Sequence, residues 1–249
     1  NGASNNYDAD VSYNTVRIIN TTITNDGALD INGGNNKSKI GDGGYCQFNR
    51  VELENVSFSV KNCLVDDTIH RMIIGGNSHY VDVNNNEVVI KDSNVSNIDV
   101  CGGRSLYGGD VCNNSVTLQD VIIGNSNIYG GYSPEGGIVS GNTLNIGGEI
   151  SGVVNEIGGF ATINYDDLKW NTKVPVLKTT NLVLDSNEKI AANVNGLANG
   201  STPKKGEVMT LLDTNNKDLP DNYLFESEST FNSGDFLQAE GKIYQDAED

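Results

Sequence analysis

The sequence predicts an all-β fold, a parallel β-helix or solenoid, and three observations carry that prediction. The first is internal repetition. The stretch from Asn114 to Ser133 slides back by 28 residues onto Asn86 to Ser105 without a gap, pairing Val116 with Val88, Leu118 with Ile90, Ile128 with Val100 and Gly130 with Gly102. Looser copies start at Asn49 and Asn14, and a truncated one at Asn142. Self-similarity at such a period marks a solenoid or an array. The second is alternation. Apolar residues fall at offsets +2 and +4, then +7 and +9, then +14 and +16 from each lead asparagine. A spacing of two puts both side chains on one face of a strand, and the odd step between pairs marks a corner. The third is a glycine pair that closes each of the four longer copies, after about ten extra residues in the copy that starts at Asn49: Gly33-Gly34, Gly75-Gly76, Gly102-Gly103 and Gly130-Gly131.

Taken in order, residues 1–13 are polar and read as an edge or as part of a preceding coil. From 14 to about 148 each copy reads as two or three short strands. Stacked coils would bring Val16, Val51, Val88, Val116 and Leu144 into one inward column. Six aliphatics per coil, at ~1.5–3 kcal/mol each, give a gross burial term of about 10 kcal/mol before entropy. One coil cannot stand alone, because its strands find backbone partners only in their neighbours. The lead asparagines suit a tight corner, since Asn tolerates a left-handed backbone and bonds to nearby main chain. Stacked one per coil, their amides can also bond to each other. The glycine pairs supply either a positive φ or close backbone approach.

Near residue 150 the pattern changes. Phe160-Ala-Thr-Ile-Asn-Tyr165 and Trp170 bring in larger residues, followed by apolar runs at Val174–Leu177, Asn181–Asp185, Lys189–Val194, Glu207–Leu212, Tyr223–Phe225 and Lys242–Tyr244. The division expected is therefore a β-helix over 1–150 and a C-terminal β cap over 151–249. A solenoid needs something to protect its last open edge, and the second segment is placed to do so. The acid-rich end, 226–249, reads as a tail that is partly disordered.

Composition limits function. Of 249 residues 37% are hydrophobic, and the formal charge is −17 with a pI near 4.3. Such a chain is a poor match for nucleic acid, whose phosphates need Lys and Arg, and for anionic lipid. No window reads as a signal peptide or an 18-residue apolar span, so this fragment is not expected to insert directly into a membrane. It opens on Asn1-Gly-Ala-Ser, which reads as a piece of a longer protein.

Four cysteines suit an oxidising compartment. Cys46, Cys63, Cys101 and Cys112 all map near one corner of the coil, which suggests Cys46–Cys63 and Cys101–Cys112 bridges. Stacking offers the alternative, Cys63–Cys101 with Cys46–Cys112. A zinc site would have only His70 and His79 to help and lacks a Cys-x-x-Cys pair. The sequence asks for no metal and no cofactor.

Candidate binding residues lie where the repeat does not repeat. The loops after the glycine pairs carry Tyr45, Tyr80, Tyr107, Tyr132 and Arg104. Solenoid insertions collect on one face, and tyrosines among Gly, Ser and Asn make adaptable recognition surfaces. The same residues would also serve simply to cover the solenoid flank. Catalytic sets are thin. No Gly-Asp-Ser-Gly or Gly-x-Ser-x-Gly nucleophile appears, and no phosphate loop, dinucleotide fingerprint or calcium nonapeptide. One cluster is worth testing for a glycan lyase or hydrolase: His70 and Arg71 beside Asp66 and Asp67, with Asp82, Asp99 and Arg104 in reserve.

Asn-x-Val-x-Ile…Gly-Gly-x-Ser repeats lead into Asn142-Thr-Leu-Asn-Ile146, then Phe160–Tyr165, a Pro-bearing strand and Gly206-Glu-Val-Met-Thr-Leu-Leu-Asp213. Over most of 14–213 this succession resembles the passenger region of bacterial autotransporters, the type V secretion proteins. The resemblance implies a right-handed parallel β-helix displayed outside an outer membrane, an autochaperone-like C-terminal cap and a translocator barrel further along the chain. The cysteines depart from it, since many passengers have few. The reading is thus a secreted or surface-exposed, non-enzymatic passenger. It would adhere to a host or bacterial surface protein or glycan, or to itself. A glycan-active β-helix enzyme and a trimeric surface or phage fibre are the alternatives.

Overall fold

Each repeat folds into one coil, and its strands pair in parallel with their counterparts one repeat away. The structure, a computed structural model, describes residues 2–5, 9–25, 27–39, 44–60, 71–184, 189–201, 203–215, 224–225, 227–233 and 238–244. Three sheets run along the coil axis. The lead sheet takes the strands that follow the asparagines: Thr15–Asn25, Arg50–Val60, Glu87–Lys91, Ser115–Ile122, Thr143–Ser151, Thr162–Asp166, Ile190–Val194 and Leu224–Phe225. The glycine sheet takes Ala3–Asn5, Leu29–Asn36, Arg71–Ser78, Asp99–Ser105, Asn127–Tyr132, Val154–Gly158, Leu177–Val183 and Leu212–Thr214. A short sheet of two-residue strands, Val11–Ser12, Cys46–Gln47, Val83–Asn84, Val111–Cys112 and Val139–Ser140, closes the triangle. This is a parallel β-helix.

The expected inward column forms. Val16, Val51, Val88, Val116 and Leu144 stack in register and continue to Ile163 and Ala192. A second column runs Ile18, Leu53, Ile90, Leu118, Ile146, Tyr165 and Val194. The glycine sheet faces them with Ile31, Ile73, Val100, Ile128, Ile157 and Leu182. These residues form one continuous core along the axis, so burial grows lengthwise, coil by coil.

At the corner between the short and lead sheets the lead asparagines build a buried amide ladder. The Nδ2 of Asn14 donates to Oδ1 of Asn49 at 2.8 Å, and the same bond recurs from Asn49 to Asn86 (2.9 Å), Asn86 to Asn114 (3.0 Å) and Asn114 to Asn142 (3.1 Å). Each Oδ1 also accepts the backbone N–H of the preceding asparagine in the ladder, at 2.8–3.2 Å. The second Nδ2 proton goes to a short-sheet carbonyl: Val11 for Asn49, Cys46 for Asn86, Val83 for Asn114, Val111 for Asn142. The left-handed corner itself lies one residue earlier than the sequence suggests. Tyr13, Phe48, Asn85, Asn113 and Gly141 carry the positive φ, between 54° and 66° at that corner (61°, 54°, 57°, 58° and 66°).

The glycine pairs follow from this ladder. None of their φ values is positive; what they permit is close approach. A Cβ on the second glycine would run into the ladder: 2.6 Å from Asn49 at Gly34, 2.5 Å from Asn86 at Gly76, 2.7 Å from Asn114 at Gly103 and 2.7 Å from Asn142 at Gly131. On the first glycine it would strike the carbonyl oxygen of the first glycine in the next coil, at 2.4 Å from Gly33 to Gly75 and 2.5 Å from Gly75 to Gly102.

The expected boundary at 150 follows the last strand of the short sheet, Val139–Ser140. Both long sheets pass it in register, through Thr162–Asp166 and Leu177–Val183 to Leu212–Thr214 and Leu224–Phe225. After that, Ser227–Ser233 pairs in parallel with Gly196–Leu197 and antiparallel with Gln238–Ile243. The segment expected to be a tail thus contains a hairpin, and its Ile243 is buried with the core. Trp170 packs against the same end, its indole N–H donating to Glu207 Oε2 at 3.0 Å.

Asn86→Ala removes the acceptor of both Asn49 bonds inside a buried corner, and should cost about 3 kcal/mol in denaturant unfolding. Gly76→Ala alone should cost ~1–3 kcal/mol by overpacking. Combined with Asn86→Ala it should cost markedly less, because the amide it strikes is gone. Strict additivity in that double-mutant cycle would refute the packing of glycine on amide.

Candidate functional site

The serine that closes the Gly-Gly-x-Ser pattern builds the loops. Ser78, Ser105 and Ser133 follow the glycine pairs, and each hydroxyl accepts an N–H from its own loop: Val81 at 2.9 Å, Gly109 at 3.1 Å and Gly137 at 3.1 Å. Ser78 and Ser105 are fully buried. A tight turn is therefore pinned at both ends, with His79-Tyr80 at its tip in one coil and Leu106-Tyr107-Gly108 in the next. The ladder continues through these turns: His79 N–H donates to the Asn36 carbonyl at 3.1 Å, Leu106 to Ser78 at 3.1 Å and Tyr107 to His79 at 2.8 Å.

Stacked turns stack their rings. Tyr80 and Tyr107 lie 4.8 Å apart at 25°, and His79 meets the pair edge-on, 6.4 Å from Tyr80 and 6.0 Å from Tyr107. Tyr107 is 53% exposed, so its ring is the outer plate of the group. Burial, followed by the positive charges of Lys37 and Arg104, holds the His79 imidazole below its ordinary pKa.

Arg104 lies beside this group in a column Asn35–Asn77–Arg104–Tyr132 on the glycine sheet. Its Nε donates to Asn77 Oδ1 at 2.9 Å and its Nη1 approaches the Met72 sulfur at 2.9 Å. The guanidinium has no carboxylate partner among the described residues. Asn35 is buried, and its Oδ1 has no donor among the described residues. Tyr132 stands next to Arg104 and 5.3 Å from Tyr129, whose hydroxyl donates to Glu156 Oε1 at 2.7 Å.

Of the five candidate binding residues, four therefore gather: Tyr80, Tyr107, Tyr132 and Arg104. Tyr45 does not join them. It heads the short-sheet strand Cys46–Gln47, is 47% exposed, and donates its N–H to Asp10 Oδ1 at 2.9 Å. Sequence reasoning missed Lys37 and gave His79 no part in the aromatic group. It also missed an exposed stacked pair, Tyr13 and Phe48, 5.0 Å apart at the left-handed corner. The signal for that pair was available: both immediately precede a lead asparagine.

The disulfide expectation is corrected. Cys46, Cys101 and Cys112 are free thiols, and Cys63 lies outside the described residues. The register explains it. Cys46 fills the inward valine column Val11–Cys46–Val83–Val111 of the short sheet. Cys112, one residue along from Val111, points to the opposite face and meets Ser140 Oγ at 3.3 Å. Cys101 belongs to a different sheet, in a buried patch with Met72 and Ile74. Mapping to one corner was a statement about sequence offset, and strand alternation separates the side chains. Burial pushes the Cys46 and Cys101 thiols up to about 12.

For the glycan-enzyme alternative, Asp66, Asp67 and His70 lie outside the described residues. Arg71 donates its Nε to the Gly27 carbonyl at 3.1 Å, and its Nη2 is buried without a partner among the described residues. Asp82 and Asp99 cap the next coil, accepting the N–H groups of Asp110 (3.0 Å) and Asn127 (2.7 Å). No group of three or more His, Cys, Asp or Glu is arranged to hold a metal among the described residues. No family model, no curated protein and no solved structure matches this chain.

Two outcomes follow for the thiols. In the folded protein at neutral pH a thiol reagent should label Cys112 well ahead of Cys46 and Cys101, read by peptide mapping; prompt labelling of Cys101 would contradict its burial. Folded pKa values raised from 9.0 to about 12 mean that the unfolded chain binds fewer protons over that interval. Stability should therefore fall as pH rises from about 9 towards 12, and Cys46→Val with Cys101→Val should flatten the fall.

Proposed function

We propose that this chain is a non-enzymatic passenger of the autotransporter type, secreted or exposed on a bacterial surface. In this reading its β-helix is a rigid mount, and the loops after the glycine pairs do the binding. The observation that carries it is the group of Tyr80, Tyr107 and His79 with Arg104 and Tyr132. Rings on serine-pinned turns, beside an arginine free of carboxylates and an exposed tyrosine at the ends of the strands that lead into such turns, suit recognition better than structure. Tyrosine and arginine are the side chains that dominate recognition surfaces, because they offer large contact area at low entropic cost. The partners proposed are a protein or glycan on a host or bacterial surface, or a second copy of the chain. The net charge of −17 argues against nucleic acid as a partner. In this reading the hairpin at 227–243 and the coils before it serve as the folding cap.

The test displays the chain on a non-adherent bacterium and scores attachment to epithelial cells and settling of the culture. Display should raise one or both, and Tyr80→Ala with Tyr107→Ala should lower the effect about tenfold while leaving the melting temperature of the purified chain within a few degrees. Depolymerisation of a polysaccharide by the purified chain, abolished by Arg71→Ala, would overturn the reading in favour of a glycan-active enzyme.

A further inference from the structure

We propose that the surface formed by Lys37, His79, Tyr80, Arg104, Tyr107 and Tyr132 binds an anionic sugar, a proposal that rests on the adhesive reading above and names its ligand class. Three features of the surface carry it. The first is a plate. Tyr107 is exposed and backed by Tyr80 at 4.8 Å, with His79 edge-on behind it, so the plate is held flat. A pyranose ring presents a flat array of C–H groups, and the face of a fixed phenol ring is complementary to it while the phenol hydroxyl stays free for sugar hydroxyls.

The second is an aimed cation. Arg104 is held by Asn77 at 2.9 Å through Nε and by the Met72 sulfur through Nη1, which leaves Nη2 without a partner among the described residues. Neutral acceptors fix the guanidinium without neutralising it. The side chain is half-buried, and a partly desolvated guanidinium binds an anionic oxygen more strongly than one in bulk water. Arg17 and Arg50 differ: both are spent on carboxylates, Arg17 on Glu52 and Glu54, Arg50 on Glu52 and Glu87. The third is the juxtaposition. Arg104 stands in the strand Asp99–Ser105, three residues before Tyr107, so cation and plate leave the same stretch of one coil, and the positive charges of Arg104 and exposed Lys37 both act on the His79 ring that meets Tyr107 edge-on. An anionic group and the ring that carries it are then met together, with Tyr132 beside Arg104 extending the surface.

A long polyanion such as nucleic acid would meet the repulsion of an acidic chain along its whole length, whereas a single anionic group on a sugar is met at short range by Arg104 and Lys37, with Glu156, which borders the surface at Tyr129, engaged by the Tyr129 hydroxyl. An acidic peptide offers the charge but no flat C–H face for Tyr107. Sugar carboxylates and sugar sulfates share the chemistry required here, so the test carries both.

The intact chain is titrated against oligogalacturonate, sialyllactose and a sulfated galactose disaccharide, with lactose as the neutral control and polyglutamate as the acidic control. At least one anionic sugar should bind about tenfold or more tightly than lactose, and which of them does so identifies the source of the anion. Arg104→Gln, whose amide can still meet Asn77, should erase that preference. Tyr107→Ala, at an exposed position, should weaken every sugar about tenfold, and Arg104→Lys should retain part of the preference. Equal binding of lactose and the anionic sugars overturns the proposal. So does an anionic preference untouched by Arg104→Gln, or polyglutamate binding that survives Tyr107→Ala. Should the displayed chain attach to cells while no sugar binds, the ligand class falls and the adhesive reading stands. Should neither occur, both fall.

Discussion

A buried asparagine amide has two protons to donate and one oxygen with two lone pairs, and away from water all four must be met. In this β-helix they are met by a copy of the same residue one coil along. From Asn49 to Asn114 each amide gives one proton to the next Oδ1 and one to a short-sheet carbonyl, while its own oxygen receives a side-chain and a backbone N–H. The ladder locks lead and short sheets together in register, because a slip of one residue would leave every buried amide without its partner. It also dictates composition elsewhere. The chain returning along the glycine sheet passes so close to the amides from Asn49 to Asn142 that even a Cβ is excluded, so a glycine pair accompanies each of them, while Asn14 at the end of the ladder is faced by Gly2-Ala3.

That coupling frees the loops from structural duty at their tips. Register, corner and core are settled by asparagine, glycine and the inward aliphatics, and the turns after Ser78, Ser105 and Ser133 are anchored by the serine hydroxyl. Between serine and anchor the backbone still bonds to the neighbouring coil, but the side chains are not fixed by the core, and there the chain carries histidine and tyrosine in one coil, leucine and tyrosine in the next. The spacing of one coil then brings the two tyrosine rings to stacking distance without any contact designed for that purpose. A solenoid thus turns a linear series of loops into a surface whose side chains are neighbours through the coil pitch.

Much of this was legible in the chain itself. The 28-residue period and the +2/+4 alternation named the inward columns correctly, from Val16 to Leu144, because like residues at like offsets must share a face once coils stack. The larger residues after 150 were legible as a change, yet they signalled the loss of the two-residue short-sheet strands, and Tyr165 simply fills the same column as Ile146. The cysteines misled for a related reason. Cys101 and Cys112 are close in offset, but one lies outward on the glycine sheet and the other outward on the short sheet, and nearness along a coil does not imply nearness across its corner.

By itself, then, the sequence determined the parallel β-helix, its repeat and the inward columns of its core, because periodicity translates directly into which side chains face inward. Tertiary structure decided what that periodicity cannot encode. It chose close approach over positive φ for the glycine pairs, moved the left-handed corner from the asparagine to Tyr13, Phe48 and their counterparts, and kept Cys46, Cys101 and Cys112 apart as thiols. It also gathered Tyr80, Tyr107, His79 and Arg104 into one surface while leaving Tyr45 outside. Each of these depends on distances between neighbouring coils of a few ångströms, set by how loops fold over a ladder, and residues in different loops carry no shared pattern from which such distances can be read.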